Sequence, residues 1–199
     1  MPPKAKFTRE QVAVVALDIV REEGIDALTA RNLGARLGMS SRPIFTAFRS
    51  MDEVKYAARE LAISELKEYA SVLDLTDPDI RTVCMLIISY AVHRLELFKL
   101  LFMQDSPNGE SPNETLARIG ELSERCIDRI QREQALSHGQ ATVVFEQMCV
   151  YAFGTGALCA MKLCEYNEDD VRADFDTVYR GLVLAAQSHT DTQATQGKE

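Results

Sequence analysis

An all-α fold is predicted from three features of the chain. Apolar residues recur at steps of three and four over long stretches, without the period-two alternation of strands. Short polar residues that cap helices (Thr8, Thr29, Ser40, Asn113, Ser137 and Asn167) stand just ahead of those stretches. Gly24, Gly38 and Pro78 fall where the pattern stops.

Thr8 caps a first helix to about Glu23, with Val12, Val15, Ala16, Ile19 and Val20 on one stripe and Gly24 at its end. Thr29 caps a short helix, Ala30 to Leu37, that stops at Gly38, and Ser40 caps another to about Phe48. Asp52 opens a long helix through Val54, Ala58, Leu61, Leu66, Tyr69 and Leu73, roughly 30 Å at 1.5 Å per residue. Pro78 breaks the chain, because proline cannot sit inside a helix. Residues 79–103 are apolar on most faces, as a central core helix is, with a break near His93–Leu95. Residues 104–113 (QDSPNGESPN) read as a loop. Asn113 caps a helix to about Gln134 and Ser137 one to Cys164. Asn167 caps the last, striped by Val171, Phe175, Val178, Leu182 and Ala185. The expectation is about nine helices: a three-helix head over 1–51, a larger body over 52–187 entered through helix 52–73, and a disordered tail over 188–199.

Composition excludes several function classes. No uncharged apolar run reaches the roughly 18 residues of a membrane span, and the first residues hold no apolar signal core, so a cytoplasmic protein without membrane contact is expected. The five cysteines (Cys84, Cys126, Cys149, Cys159 and Cys164) form no Cys-x-x-Cys pair, and His93, His138 and His189 are scattered. Neither a metal site nor a cofactor is expected. Buried, reduced thiols are the plain reading of the cysteines, with a redox role for Cys159 and Cys164 as the alternative. An enzyme is not expected either. No histidine stands at a telling offset from a cysteine, and Phe153-Gly154-Thr155-Gly156 lacks the strand that a dinucleotide site needs.

Net charge is −8, which argues against a nucleic-acid partner, but its distribution argues for one. Residues 1–50 hold eight Lys/Arg against five acids, or +3, whereas the remainder holds 14 against 25, or −11. The attractive field for a polyanion therefore lies at one end.

Within that end, Leu28 to Phe48 (LTARNLGARLGMSSRPIFTAF) fits a helix-turn-helix. Leu33 and Leu37 supply the buried face of its first helix, and Gly34 lets the second cross closely. Gly38 supplies the positive φ of the turn, Met39 plugs the corner, and Ile44 and Phe48 face inward. A helical hairpin used only for packing matches a few of these positions.

Residues 8–56 resemble the DNA-binding domain of the TetR/AcrR (tetracycline-repressor-like) family of prokaryotic regulators. The likeness rests on the capped first helix, the LTARNLGARLG run, Pro43-Ile44-Phe45-Thr46-Ala47-Phe48, and Asp52-Glu53-Val54 opening the fourth helix. It implies a ligand-responsive transcriptional regulator, a repressor binding a palindromic double-stranded DNA operator as a homodimer. Phe45 replaces the usual recognition-helix tyrosine, Ala47 the following His or Tyr, and Met51 the usual lysine, while Arg49 and Lys55 stand near enough to substitute. These departures keep open a second reading, a helical ligand-binding or adaptor protein with a weakened head.

Site residues follow from chemistry at these positions. Ser40, Ser41, Arg42 and Thr46 would face base edges, with Arg42 on a guanine or a phosphate, beside Pro43 and Phe45 of the motif. Thr29 and Arg31 would position the DNA backbone, and Lys4 and Lys6 form a basic arm. Ala152, Gly156, Ala160 and Cys164 make a seam of small residues suited to close helix approach, within one subunit or between two. With Phe175, Val178 and Leu182, that seam is the expected dimer interface. Met85, Tyr90, Phe98, Phe102, Met103, Phe145, Met148, Tyr151 and Phe153 are bulkier than packing demands, although a core uses the same residues. The resemblance makes them a pocket for a small apolar effector, with His93, Arg94 and Glu96 as the polar groups that could orient it.

Overall fold

The computed structural model describes residues 7–106, 108–165 and 167–196, with side chains as far as Ser188. Lys4 and Lys6 lie outside the described residues. Among the described residues ten α-helices follow one another: α1 (Arg9–Glu23), α2 (Ala30–Arg36), α3 (Ile44–Ala47), α4 (Met51–Ala70), α5 (Ile80–His93), α6 (Leu95–Phe102), α7 (Pro112–Ala117), α8 (Leu122–Gln134), α9 (His138–Ala160) and α10 (Glu168–Gln196). No strand is present among the described residues. Packing divides the chain into two compact units, Met1–Ala70 with Arg94–Thr115, and Ser71–His93 with Leu116–Glu199.

In the first unit, α1 begins with a complete capping box. The Thr8 hydroxyl accepts from the Gln11 amide, and the Gln11 side chain accepts from the Thr8 amide. Its buried face (Val12, Ala16, Ile19, Val20) packs on α4 and α6. Helix α4 buries Val54, Ala58, Ala62, Ile63 and Leu66 and stops three residues short of Leu73. The division at residue 51 expected from the sequence is not where packing separates the chain, and Arg59 of α4 is one reason. Its side chain is 3% exposed, and it donates to Glu110 at 2.6 Å, to Thr115 Oγ1 at 2.7 Å and to the Leu101 carbonyl at 3.3 Å. A buried guanidinium needs these partners, and they draw residues 101–115 onto α4.

In the second unit, α5 buries most of its faces, as expected of a core helix, and packs along α9. Helices α8 and α10 also pack on α9. The single helix expected over 113–134 is two. Gly120 and Glu121 adopt left-handed φ of 65° and 61° between α7 and α8, a conformation glycine enters readily. The cap of α7 is Ser111 rather than Asn113. The Ser111 hydroxyl accepts from the Glu114 amide, Glu114 accepts from the Ser111 amide at 2.7 Å, and Pro112 fills the first helical position.

Helix α9 ends at Ala160 rather than Cys164, because Lys162 turns left-handed at φ 60°. Helix α10 continues to Gln196, past the expected end at residue 187. From Leu182 to Gln196 no Gly or Pro interrupts it, so propagation costs little per residue. By length and composition alone α9 could cross a membrane, with Glu146 its one charged side chain apart from histidine. Here its Ala141, Val144, Phe145, Met148, Cys149 and Ala152 are buried in the second unit.

Candidate nucleic-acid interface

The helix-turn-helix is built on two glycines with different duties. Gly38 is left-handed, φ 63°, and closes α2 with the paired bonds of a Schellman turn: Met39 N–H to the Gly34 carbonyl at 2.9 Å, and Gly38 N–H to the Ala35 carbonyl at 3.0 Å. Gly34 allows close approach. A Cβ there would lie 2.9 Å from the Met39 carbonyl oxygen and 3.2 Å from the Ser41 nitrogen, both backbone atoms. Leu33, Leu37, Ile44 and Phe48 are buried and Met39 is half-buried, as the template requires.

The recognition element is shorter than the nine-residue rod expected. Helix α3 is one turn, Ile44–Ala47, and Ser40 does not cap it; Pro43 stands at its start with φ −63°. Proline disfavours helical backbone in the residue before it, so Arg42 belongs to the preceding turn. That turn is held by Ile44 N–H to the Ser41 carbonyl at 3.2 Å. At the far end Phe48 is extended, with φ −130° and ψ 143°. There Arg9 donates to the Ala47 carbonyl at 3.0 Å, lies 4.2 Å from the Phe48 ring centroid and pairs with Glu53 at 2.8 Å. Glu53 also accepts from the Arg49 amide at 2.6 Å. The Arg49 amide first, and Arg9 second, hold the Glu53 carboxyl below the usual range.

The outward surface is as polar as the sequence predicts. Thr29, Arg31, Ser40, Arg42, Pro43, Phe45, Thr46 and Arg49 are exposed, and Ser41 and Lys55 are half-exposed. Phe45, 46% exposed, points away from the core that holds Ile44 and Phe48. Thr29 serves as the cap of α2, its hydroxyl accepting from the Asn32 amide at 3.1 Å. The basic residues sort into two groups. Arg9, Arg21, Arg36 and Arg59 are engaged by acids within the unit. Arg31, Arg42, Arg49 and Lys55 make no ion pair among the described residues. Those four are the cations the sequence reading placed on DNA, and no motif had separated them from the structural ones. The signal available was the acid spacing on α1, where Glu22 and Glu23 bind Arg36.

The residues expected to line an effector pocket fall in both units. Met85, Tyr90, His93, Phe145, Met148 and Tyr151 belong to the second unit, and Phe98 and Phe102 to the first. Tyr90, Phe98, Phe145 and Met148 are fully buried, and the rings of Phe98 and Phe102 lie 5.4 Å apart between centroids, tilted by 49°. His93 is exposed with Nδ1 at 2.8 Å from the Ser89 carbonyl, and Glu96 pairs with Lys99 at 2.7 Å. A cavity the sequence did not reveal opens within the first unit. It holds about 410 Å³ and is lined by Ile25, Asp52, Lys55, Arg59, Leu100, Gln104, Asp105 and Ser106. Arg59 Nε and Ser106 Oγ are buried there with no hydrogen-bond partner among the described residues.

The small-residue seam is likewise internal to one chain. Ala152 is fully buried, and a Cβ on Gly156 would lie 3.0 Å from Ala91 Cβ and 3.3 Å from Ile88 Cα of α5. Ala160 is half-buried, Phe175 fully buried with its ring 5.2 Å from that of Tyr151, and Val178 and Leu182 half-buried. The outer face of α9 carries Val143, Val150, Leu158 and Met161, between 46% and 68% exposed, with Gly154 among them; Leu184 of α10 is 64% exposed.

No known protein-family pattern matches the chain and no curated protein matches it in sequence. Solved structures do match. ActR of Streptomyces coelicolor, a TetR family protein determined with (S)-DNPA, is 16% identical with a TM-score of 0.55, covering 94% of this chain and 100% of that one. A TetR family protein from Vibrio parahaemolyticus is 16% identical with a TM-score of 0.55, covering 86% and 96%. A TetR-family transcriptional regulator from Rhodococcus sp. is 15% identical with a TM-score of 0.56, covering 88% and 98%. At such identities the likeness is one of fold. The chain has the all-helical fold of TetR-family regulators, with an N-terminal helix-turn-helix.

Proposed function

We propose that this protein is a ligand-responsive, DNA-binding transcriptional regulator, a cytoplasmic repressor that reads a palindromic operator as a homodimer and is released by a small-molecule effector. The observation that carries the reading is the sorting of charge on the head. Among the described residues, Arg31, Arg42, Arg49 and Lys55 have no acidic partner and stand beside the exposed Ser40, Phe45 and Thr46. Unpaired cations beside an outward recognition turn are what phosphate and base-edge contacts need.

One small head makes few contacts, so specificity calls for two half-sites on one DNA face. The exposed apolar face of α9 (Val150, Gly154, Leu158, Met161) with Leu184 of α10 supports pairing of two copies; it takes the place of the buried seam. The cavity beside Lys55 supports effector binding in the first unit, because a ligand there would meet a cation the DNA also needs. The effector must bind the released state more tightly, and that difference sets the size of the switch.

Binding to DNA flanking its own gene, followed across salt concentration, tests the reading. The expected result is protection of a roughly palindromic site and affinity that falls as salt rises. Arg42→Ala should relax sequence preference, and Lys55→Ala should weaken binding evenly on all sequences. The reverse pattern overturns these assignments. Binding that is weak and the same on every sequence favours the adaptor reading.

A further inference from the structure

Of the five cysteines, four are buried and one is exposed, and the exposed one is not isolated. Cys164 Sγ lies 3.2 Å from Cys159 Sγ across the turn that ends α9. Backbone geometry holds the two together. Lys162, left-handed at φ 60°, closes a Schellman turn in which its N–H bonds the Cys159 carbonyl at 3.0 Å and the Leu163 N–H bonds the Leu158 carbonyl at 2.9 Å. The chain therefore folds back on the last turn of α9 and brings residues five apart to sulfur–sulfur contact.

We infer that Cys159 and Cys164 form a modification site for hydroperoxides, oxidised in two steps to an intramolecular disulfide. Cys164, open to solvent, reacts first. Its sulfur attacks the peroxide oxygen, the O–O bond breaks, and the products are a Cys164 sulfenic acid and an alcohol or water. Cys159 then attacks that sulfur. The S–O bond breaks, the hydroxyl leaves with the Cys159 proton as water, and the S–S bond forms. Two thiols are oxidised by two electrons and one peroxide is reduced.

The order of the steps follows from the surroundings. Burial first, and the hydrogen bond with Cys164 second, push the Cys159 thiol up to about 11, so it is a poor initial nucleophile. Burial pushes Cys149 up to about 12 and raises Cys84 and Cys126 well above the usual thiol range, and the same burial covers all three from solvent. This site stands apart from the DNA-binding reading, and its test contains no DNA.

The test treats the reduced full-length protein with hydrogen peroxide, blocks remaining thiols and maps the peptides without reduction. The expected product is one chain lighter by about 2 Da, with Cys159 linked to Cys164 and the link reversed by a thiol reductant. Cys164→Ser should abolish it, and as an exposed position should leave the circular dichroism spectrum unchanged. Cys159→Ser should leave a Cys164 sulfenic acid that dimedone traps. A linkage to another cysteine, a disulfide between two chains as the main product, or thiols intact after free glutathione is consumed would each overturn the proposal.

Discussion

Arg9, the first residue of α1, lies over the ring of Phe48, the residue that ends α3, at 4.2 Å. The same guanidinium accounts for the Ala47 carbonyl and the Glu53 carboxylate. One exposed side chain therefore joins the start of the head, the end of its recognition turn and the first turn of α4. Replacing Arg9 with alanine should lower stability by about 1–2 kcal/mol, the sum of an exposed cation–π contact and an exposed ion pair. Arg9→Lys, which keeps the charge without the planar fork, should recover less than half of this in urea unfolding.

Acid should loosen this junction. The lowered Glu53 carboxyl is set first by the Arg49 amide and next by Arg9. A group lowered on folding contributes stability above its unfolded value, about 4.3 for glutamate, and loses it as pH falls through the folded value. The urea midpoint of the wild-type protein should therefore drop more steeply below about pH 4.3 than that of Glu53→Gln. Parallel profiles would show that Glu53 takes no part.

The two turn glycines should respond differently to alanine. At Gly34 the new Cβ meets backbone atoms at 2.9 Å and 3.2 Å, and overpacking of that kind costs about 1–3 kcal/mol. At Gly38 nothing lies within 4 Å of a Cβ, and φ is 63°; the cost is left-handed strain alone, about 1 kcal/mol. Thermal unfolding of both variants checks the ranking.

Arg59→Met should be among the most damaging single changes to the first unit. It would leave Glu110 and Thr115 without a partner that donates at 2.6 Å and 2.7 Å, a loss of about 3 kcal/mol. Limited proteolysis within residues 101–115 would report the release of that segment from α4.

Two α9 substitutions separate core from surface. Gly156→Ala pushes a Cβ to 3.0 Å from Ala91 and should destabilise the second unit by about 1–3 kcal/mol. Leu158→Glu, at a position 46% exposed, should unfold at nearly the wild-type temperature yet sediment as a monomer. A Leu158→Glu dimer would remove α9 from the interface.

Short-range chemistry made much of this molecule readable in one dimension. The caps at Thr8 and Ser137, the break ahead of α6 and the duties of Gly34 and Gly38 each depend on a few neighbouring residues, and each is found where the pattern placed it. One error of length came from a turn without a glycine: Lys162 adopts left-handed backbone, so no residue type announces the end of α9.

Which face of a helix meets which neighbour is a different kind of question, because a periodic stripe records that a face is buried but not against what. A seam of small residues suits a second subunit and α5 equally well, and only the packed chain puts Ala91 and Ile88 against Gly156. Bulky side chains such as Phe98 and Phe145 suit a pocket and a core alike until neighbours cover them. Charge behaves the same way: an arginine is a DNA contact or a strut according to whether an acid lies within reach across the fold. Arg36 is held by Glu22 and Glu23, whereas Arg42, six residues on, has no acid within reach among the described residues.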